Sequence, residues 1–394
     1  MNKEQQILQD ILREQGLDGD EKPVIDRINS VTEAQVRAEL AKPAGLFSPQ
    51  RLITLISPAA QKHLEQMAQQ AQRLTLQRFG KVKQLYVPLY VSNFCINGCV
   101  YCGFNCRSHF KRTRITVEQA CEDADVIASQ GFRHILLLSG EDMQVGIDYF
   151  CRLAAKLREK FSAIDIEIYP VDVDGYRRMF EAGIDGITLY QETYNRDLYK
   201  TVHLSGPKAD YDYRIETSER AAKAGFRRLG IGSLLGLGNW RQEVLALAAH
   251  GDYLMRNYWR SQVSFSFPRI RPANDVDLTD PQYRNIVSDT EMVQMMLALR
   301  LCFADSGITI STRESSRFRE NVLGLCVTKI SAGSKTNPGG YSSSTDAVEQ
   351  FEIDDDSSPQ QVAAMIRRCG FEPVWKDWDA GFTATGKADV SACR

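Results

Sequence analysis

The sequence predicts an α/β protein: a (β/α)8 barrel of the TIM type, preceded by an N-terminal helical segment and followed by a C-terminal arm. Three observations predict it. Eight short apolar, β-rich runs alternate with amphipathic helical stretches, the pattern of a parallel sheet with crossover helices. The chain has 394 residues, enough for one full barrel with appendages. The two ends read differently from the middle: polar and helical before residue 80, polar and then aromatic after residue 340.

The β-rich runs lie at 84–91, 134–138, 165–169, 186–190, 228–235, 262–267, 308–312 and 327–331. Helical periodicity fills 117–129, 147–160, 174–182, 214–224, 240–259 and 289–305 between them. An open doubly wound sheet competes with the barrel, and the count of eight strands favours the barrel. In residues 1–80, the segments 32–42 and 59–79 carry apolar residues at helical spacing, with Ser57-Pro58 as a start signal. They read as a cap on a later core. The expected divisions are 1–80, 81–340 and 341–394. In the arm, an acidic run at Asp354-Asp355-Asp356 precedes a helix over 359–369, and Trp375 and Trp378 are expected to dock on the body.

Hydrophobic residues make up 43% and charged residues 25%, ordinary for a globular protein. The net charge of −2 offers no bulk attraction to nucleic acid or an anionic membrane, and neither is expected as a partner. No apolar run reaches the roughly 20 residues a membrane helix needs. The opening Met1-Asn-Lys-Glu-Gln-Gln lacks a signal pattern, so the expected location is the cytoplasm.

The chemistry is concentrated in one loop. Of ten cysteines, seven are scattered: Cys106, Cys121, Cys151, Cys302, Cys326, Cys369 and Cys393. The other three fall within Cys95-Ile-Asn-Gly-Cys99-Val-Tyr-Cys102, just past the first predicted strand, where barrel active sites sit. A [4Fe-4S] cluster takes four ligands, so three thiolates leave one iron open to a small chelating molecule. Cys-x3-Cys-x2-Cys with Tyr101 before the last cysteine resembles the signature of the radical S-adenosylmethionine (SAM) superfamily. SAM presents an amine and a carboxylate to such an iron. A zinc site would want four donors, often as two Cys-x2-Cys pairs, and no second pair is present. Cys106 reads as a bystander.

Other segments suit a SAM cradle. Gly140 and Glu141 follow the second strand, where a glycine admits close approach and a carboxylate accepts from an ammonium. Glu192 and Thr193 follow the fourth strand. Arg214, in Tyr213-Arg-Ile-Glu-Thr217, suits a two-point carboxylate clamp. Gly230-Ile-Gly232-Ser-Leu-Leu-Gly236 misses the dinucleotide fingerprint and reads as a strand leaving room for adenine. Ser311-Thr-Arg313-Glu314-Ser and Ile330-Ser331-Ala-Gly-Ser334 end the last two strands, and the arginine with its hydroxyls suits an amino-acid carboxylate.

Longer phrases carry a narrower resemblance. Tyr86-Val-Pro-Leu-Tyr-Val-Ser-Asn-Phe-Cys, Gly146-Ile-Asp-Tyr-Phe150, Tyr190-Gln-Glu-Thr-Tyr194, Ser264-Phe-Ser-Phe-Pro-Arg-Ile-Arg-Pro272, Ser311-Thr-Arg-Glu-Ser315, Pro338-Gly-Gly-Tyr341 and Pro373-Val-Trp-Lys-Asp-Trp-Asp379 resemble the 2-iminoacetate synthase family, the tyrosine lyases of thiamin thiazole biosynthesis. The resemblance implies a [4Fe-4S] cluster on Cys95, Cys99 and Cys102, with SAM held by Tyr101, Gly140, Glu141, Glu192 and Arg214. Arg313 would hold the carboxylate of L-tyrosine, with Ser331 assisting and Tyr90 lining the pocket. It further implies cleavage of the tyrosine Cα–Cβ bond, a reductant such as flavodoxin or ferredoxin, and delivery of the imine to thiazole synthase. The tyrosine lyase of hydrogenase maturation needs a second cysteine set, for which Cys369 and Cys393 are a poor match. A tryptophan lyase shares the barrel, and residue-level reading does not separate its substrate from tyrosine.

Overall fold

A computed structural model describes residues 7–279, 283, 285–343 and 345–376. Trp378 and Cys393 lie outside the described residues.

The eight expected strands are present: β1 (Val82–Ser92), β2 (His134–Ser139), β3 (Ala163–Glu167), β4 (Gly186–Glu192), β5 (Arg228–Ser233), β6 (Gln262–Ser266), β7 (Gly307–Ile310) and β8 (Lys329–Ser331). They pair in chain order, and β1 pairs with both β2 and β8, so the sheet closes. The β1–β8 closure runs through Gln84↔Lys329, Leu85↔Ile330 and Tyr86↔Ser331. Closure excludes the open sheet. Strands buried on both faces show near-continuous apolar runs; in β2, His134 to Leu138 are all buried.

The helices follow local signals. Thr116 caps helix Val117–Ser129 through a capping box with Gln119. Left-handed Gly183 and Gly225 end Val173–Ala182 and Thr217–Ala224. The single helix expected at 214–224 is two: Asp210 caps the Tyr213 amide and starts a short turn, Tyr211–Ile215, ahead of the second helix.

The N-terminal helices lie on the barrel's flank. Helix Pro49–Leu55 packs on Trp240–Asn257 and Asp289–Cys302, and Leu64–Phe79 on the latter. Val36, Leu52 and Met67 share one apolar core with the strands.

After Gly340 the chain crosses the end of the barrel where the strands finish. The Gln350 amide donates to the Thr336 carbonyl (3.0 Å), Glu352 to Pro272 (2.9 Å) and Asp354 to Thr312 (2.9 Å). Helix Pro359–Arg368 then leads to a ninth strand, β9 (Glu372–Val374), at the opposite end. It pairs in parallel with the start of β1. Trp375 packs edge-on against Phe132 at 5.1 Å, the expected docking. Among the described residues, no helix is long and apolar enough to cross a membrane.

Candidate active site

The thiol loop leaves β1 at a bulge: the β1–β2 register shifts between Tyr90 and Ser92. Arg112 folds the loop. Its guanidinium donates to the carbonyls of Asn93 (2.8 Å), Phe104 (2.8 Å), Asn105 (2.5 Å) and Ser108 (3.2 Å). Cys95, Cys99 and Cys102 are free thiols on one cavity of about 100 Å³. Asn97 Nδ2 lies 3.6 Å from the Cys95 sulfur, and Gln350 Nε2 3.9 Å from that of Cys102. Burial pushes the Cys99 thiol up to about 12 and raises Cys102. A bound metal deprotonates such thiols outright. Among the described residues, no three His, Cys, Asp or Glu side chains close around a single ion. Three thiols spread along one cavity rim, two of them beside amide donors, fit the wider ligand set of an iron–sulfur cluster.

Gly140, Glu141, Glu192 and Arg214 line the same cavity. Part of their role is internal. A Cβ on Gly140 would lie 2.2 Å from the Phe94 carbonyl oxygen, so this glycine makes room for the thiol loop itself. Glu141 accepts from Asn97 Nδ2 at 2.6 Å, bracing the residue beside Cys95. Glu192 has φ 71°, a left-handed conformation rare outside glycine, beside a register shift against β5. Its carboxylate meets Lys208 at 2.7 Å and Arg214 at 3.5 Å. Arg214 also donates twice to the Tyr190 carbonyl (3.0 and 2.6 Å).

Two expectations are placed differently. Tyr101 does not line this cavity: its hydroxyl meets His203 Nε2 at 2.6 Å, and its ring packs in an apolar cluster behind the loop. The space at Gly230 and Gly232 goes to neighbouring strands. A Cβ there would meet Thr188 Oγ1 at 2.7 Å and, at Gly232, the Ser266 carbonyl at 2.5 Å and Tyr190 at 2.7 Å.

A second cavity, about 60 Å³, adjoins the first and is lined by Tyr90, Arg313, Ser331, Glu167 and Tyr190. Arg313 has no carboxylate partner among the described residues; its guanidinium stacks on Phe351 at 3.3 Å. Its Nη1 donates to the Arg269 carbonyl at 3.4 Å, and a guanidinium without a carboxylate partner in a cavity is a site for a ligand's carboxylate. Ser331 Oγ accepts from the Thr312 amide at 3.0 Å, and its carbonyl is held by Arg319. Tyr90 donates to Gln350 Oε1 at 2.7 Å. A third cavity, about 400 Å³ among the described residues, lies at the other barrel end around Asp165 and Lys329, away from the thiols.

Sequence reasoning missed Arg112, Glu167, Lys208, Gln350 and Phe351. Most sit in loops or the arm, where no periodicity or spacing marks them. Glu167 falls inside the expected strand 165–169, and only its neighbours in space give it meaning.

Fold and thiol loop together define a radical SAM barrel enzyme. Residues 89–250 match the Radical SAM superfamily, and 266–372 match the Biotin and Thiamin Synthesis associated domain. The chain is 42% identical over 356 residues to 2-iminoacetate synthase of Escherichia coli (strain K12), covering 90% of this chain and 93% of that one. The Salmonella typhimurium 2-iminoacetate synthase matches at 41% over the same shares. Among solved structures, the [FeFe]-hydrogenase maturase HydG superposes with a TM-score of 0.85 at 28% identity, covering 91% of this chain and 80% of that one. The chain belongs to the 2-iminoacetate synthase family of radical SAM enzymes.

Proposed function

We infer that the protein cleaves the Cα–Cβ bond of L-tyrosine to 2-iminoacetate and 4-methylphenol, with 5′-deoxyadenosine and methionine as coproducts. Family membership supports the reaction. The structural observation that carries it is a pair of adjoining cavities, one rimmed by three thiols and the other by an arginine without a carboxylate partner. When bound, the cluster and SAM supply reductive cleavage and hydrogen-atom abstraction.

The chain's own residues bind, orient and exclude water. Cys95, Cys99 and Cys102 would hold three irons. Glu141, Glu192 and Arg214 would hold SAM. Arg313, with Ser331, would fix the tyrosine carboxylate, so that the amino group faces the first cavity; such placement matters because small displacements are costly in rate. Tyr90 and Phe351 would wall the pocket. The arm crosses the barrel mouth and limits access of water to the labile imine. We also propose thiazole synthase as the acceptor of that imine, flavodoxin or ferredoxin as reductant, and a cytoplasmic location.

The test is an anaerobic assay with reductant, SAM and tyrosine, analysed for 4-methylphenol and glyoxylate, the hydrolysis product of the imine. Absence of 4-methylphenol, or faster cleavage of tryptophan, would refute the tyrosine assignment. Cys99→Ala is expected to abolish SAM cleavage and lower iron content. Undiminished 5′-deoxyadenosine production would remove the thiol assignment.

A further inference from the structure

We propose that Glu167 is a catalytic residue: its carboxylate takes a proton from the ammonium group of bound tyrosine and then holds the neutral amine at the junction of the two cavities. The proposal rests on the tyrosine reading above.

Glu167 ends β3, in register with Leu138 of β2. Glu167 and Tyr190 are the two residues that line both cavities. The other acids nearby are spoken for: Glu141 by Asn97, Glu192 by Lys208 and Arg214, Glu314 by Arg269 and Arg271. Among the described residues, the Glu167 carboxylate makes no hydrogen bond or ion pair, although its backbone belongs to the β2–β3 ladder. Glu167 is half-buried at the end of β3, and a carboxylate left so on a cavity wall is ready for a ligand's ammonium to complete it.

The reaction explains what would complete it. An α-amino group is largely protonated near neutral pH, since its pKa is about 8 or above. Hydrogen-atom removal from nitrogen calls for the neutral amine, so one proton must leave first. The transfer is R–NH3⁺ + Glu–COO⁻ → R–NH2 + Glu–COOH: one N–H bond breaks, one O–H bond forms, and no electron moves. With the substrate carboxylate on Arg313, the amine would lie one carbon further, and Glu167, on the wall common to both cavities, would receive it.

The surroundings suit a proton acceptor. Burial first, and then the charge of Glu192, push Glu167 up to about 7; Arg313, Lys208 and Arg214 pull the other way. Phenols raised by burial also face it, Tyr86 and Tyr90 from β1 and Tyr190 from β4, with Leu136 and Leu138 from β2, and on the first-cavity side it shares the wall with the three thiols, Glu141 and Tyr169.

The test compares wild type, Glu167→Gln and Glu167→Asp, each loaded anaerobically and checked for iron content. In Glu167→Gln, kcat for 4-methylphenol is expected to fall about 10²-fold or more, the range for a positioned acid or base. The ratio of 5′-deoxyadenosine to 4-methylphenol should rise accordingly, because SAM is still cleaved. The fall of kcat/KM below pH 7 seen in wild type should vanish in the Gln variant and persist, at a lower rate, in the Asp variant. An unchanged product ratio, a retained acidic limb in the Gln variant, or its loss in the Asp variant would each overturn the proposal. Failure of the wild type to make 4-methylphenol would instead overturn the tyrosine reading, so the two are separable.

Discussion

At the residue scale, Gly140 faces backbone where another residue would carry a side chain. Its missing Cβ leaves room for the Phe94 carbonyl, so Gly140→Ala must push the thiol loop away from β2. The expected result is a loss of roughly 1–3 kcal/mol of stability, as for overpacking, and less iron per chain. Equal iron content in both proteins would show that the loop tolerates the shift. Arg313 has the opposite character: it is poorly satisfied in the free protein and waits for an anion. Arg313→Ala is expected to raise the KM for tyrosine about 10- to 100-fold, from the roughly 1.5–3 kcal/mol of a charged hydrogen bond, and to change SAM affinity less. An unaltered KM would remove the assignment. Cys95, Cys99 and Cys102 were legible because thiols clustered so closely in a chain with a large core point to metal before disulfide. Glu167 was not legible, because an acid inside the expected strand 165–169 looks like any polar strand position until the strand is seen to end there, with Arg313, Glu192 and Tyr190 around it.

At the element scale, the arm does more than dock. The segment after Gly340 supplies Gln350, which touches both Tyr90 and Cys102, and Phe351, which supports Arg313. Arg319, fully buried, ties it down by pairing with Asp355 while donating to the Ser331 carbonyl. Asp355→Ala leaves that guanidinium buried and unpaired, which costs about 3–5 kcal/mol. Urea denaturation should show the loss, and limited proteolysis should cut faster between 345 and 358. Protease resistance equal to wild type would mean that other contacts hold the strap. The barrel strands were legible to within about two or three residues because alternation with helices and double-sided burial mark them strongly. β9 was not, because three residues containing a proline carry no pattern, and only the exposed edge at the start of β1 makes them a strand.

At the scale of the whole molecule, the barrel holds its functional cavities at one end and a charged brace at the other. Asp165 accepts from Arg228 (2.7 Å), lies 2.7 Å from His134 and 3.3 Å from Lys329, while Arg228 also reaches Asp185 (2.5 Å). Burial opposes ionisation of Asp165, but Arg228, His134 and Lys329 outweigh it and hold the carboxyl well below its ordinary 3.8. A depressed folded-state value means stability that is present in full above that ordinary value. It is lost as pH falls below 3.8 through the folded value. Asp165→Asn is expected to cost about 1–3 kcal/mol at neutral pH, by removing the charged acceptor that Arg228 and Lys329 share, and to flatten the acid-denaturation curve below about pH 4. Parallel wild-type and variant curves would contradict this. Composition and alternation revealed the closed barrel. They could not reveal this brace, because its members come from four separate strands and a turn and meet only on closure.

The order in which the chain is made gives the arm one more consequence. The thiols are translated early and their cover late: Gln350 comes 248 positions after Cys102. At about 5–20 residues per second, the loop emerges roughly ten seconds to a minute before its strap exists. During that interval the thiols stand open to whatever delivers iron, and equally to oxygen. Assembly of the metal centre thus has a natural window that closes when the strap is made.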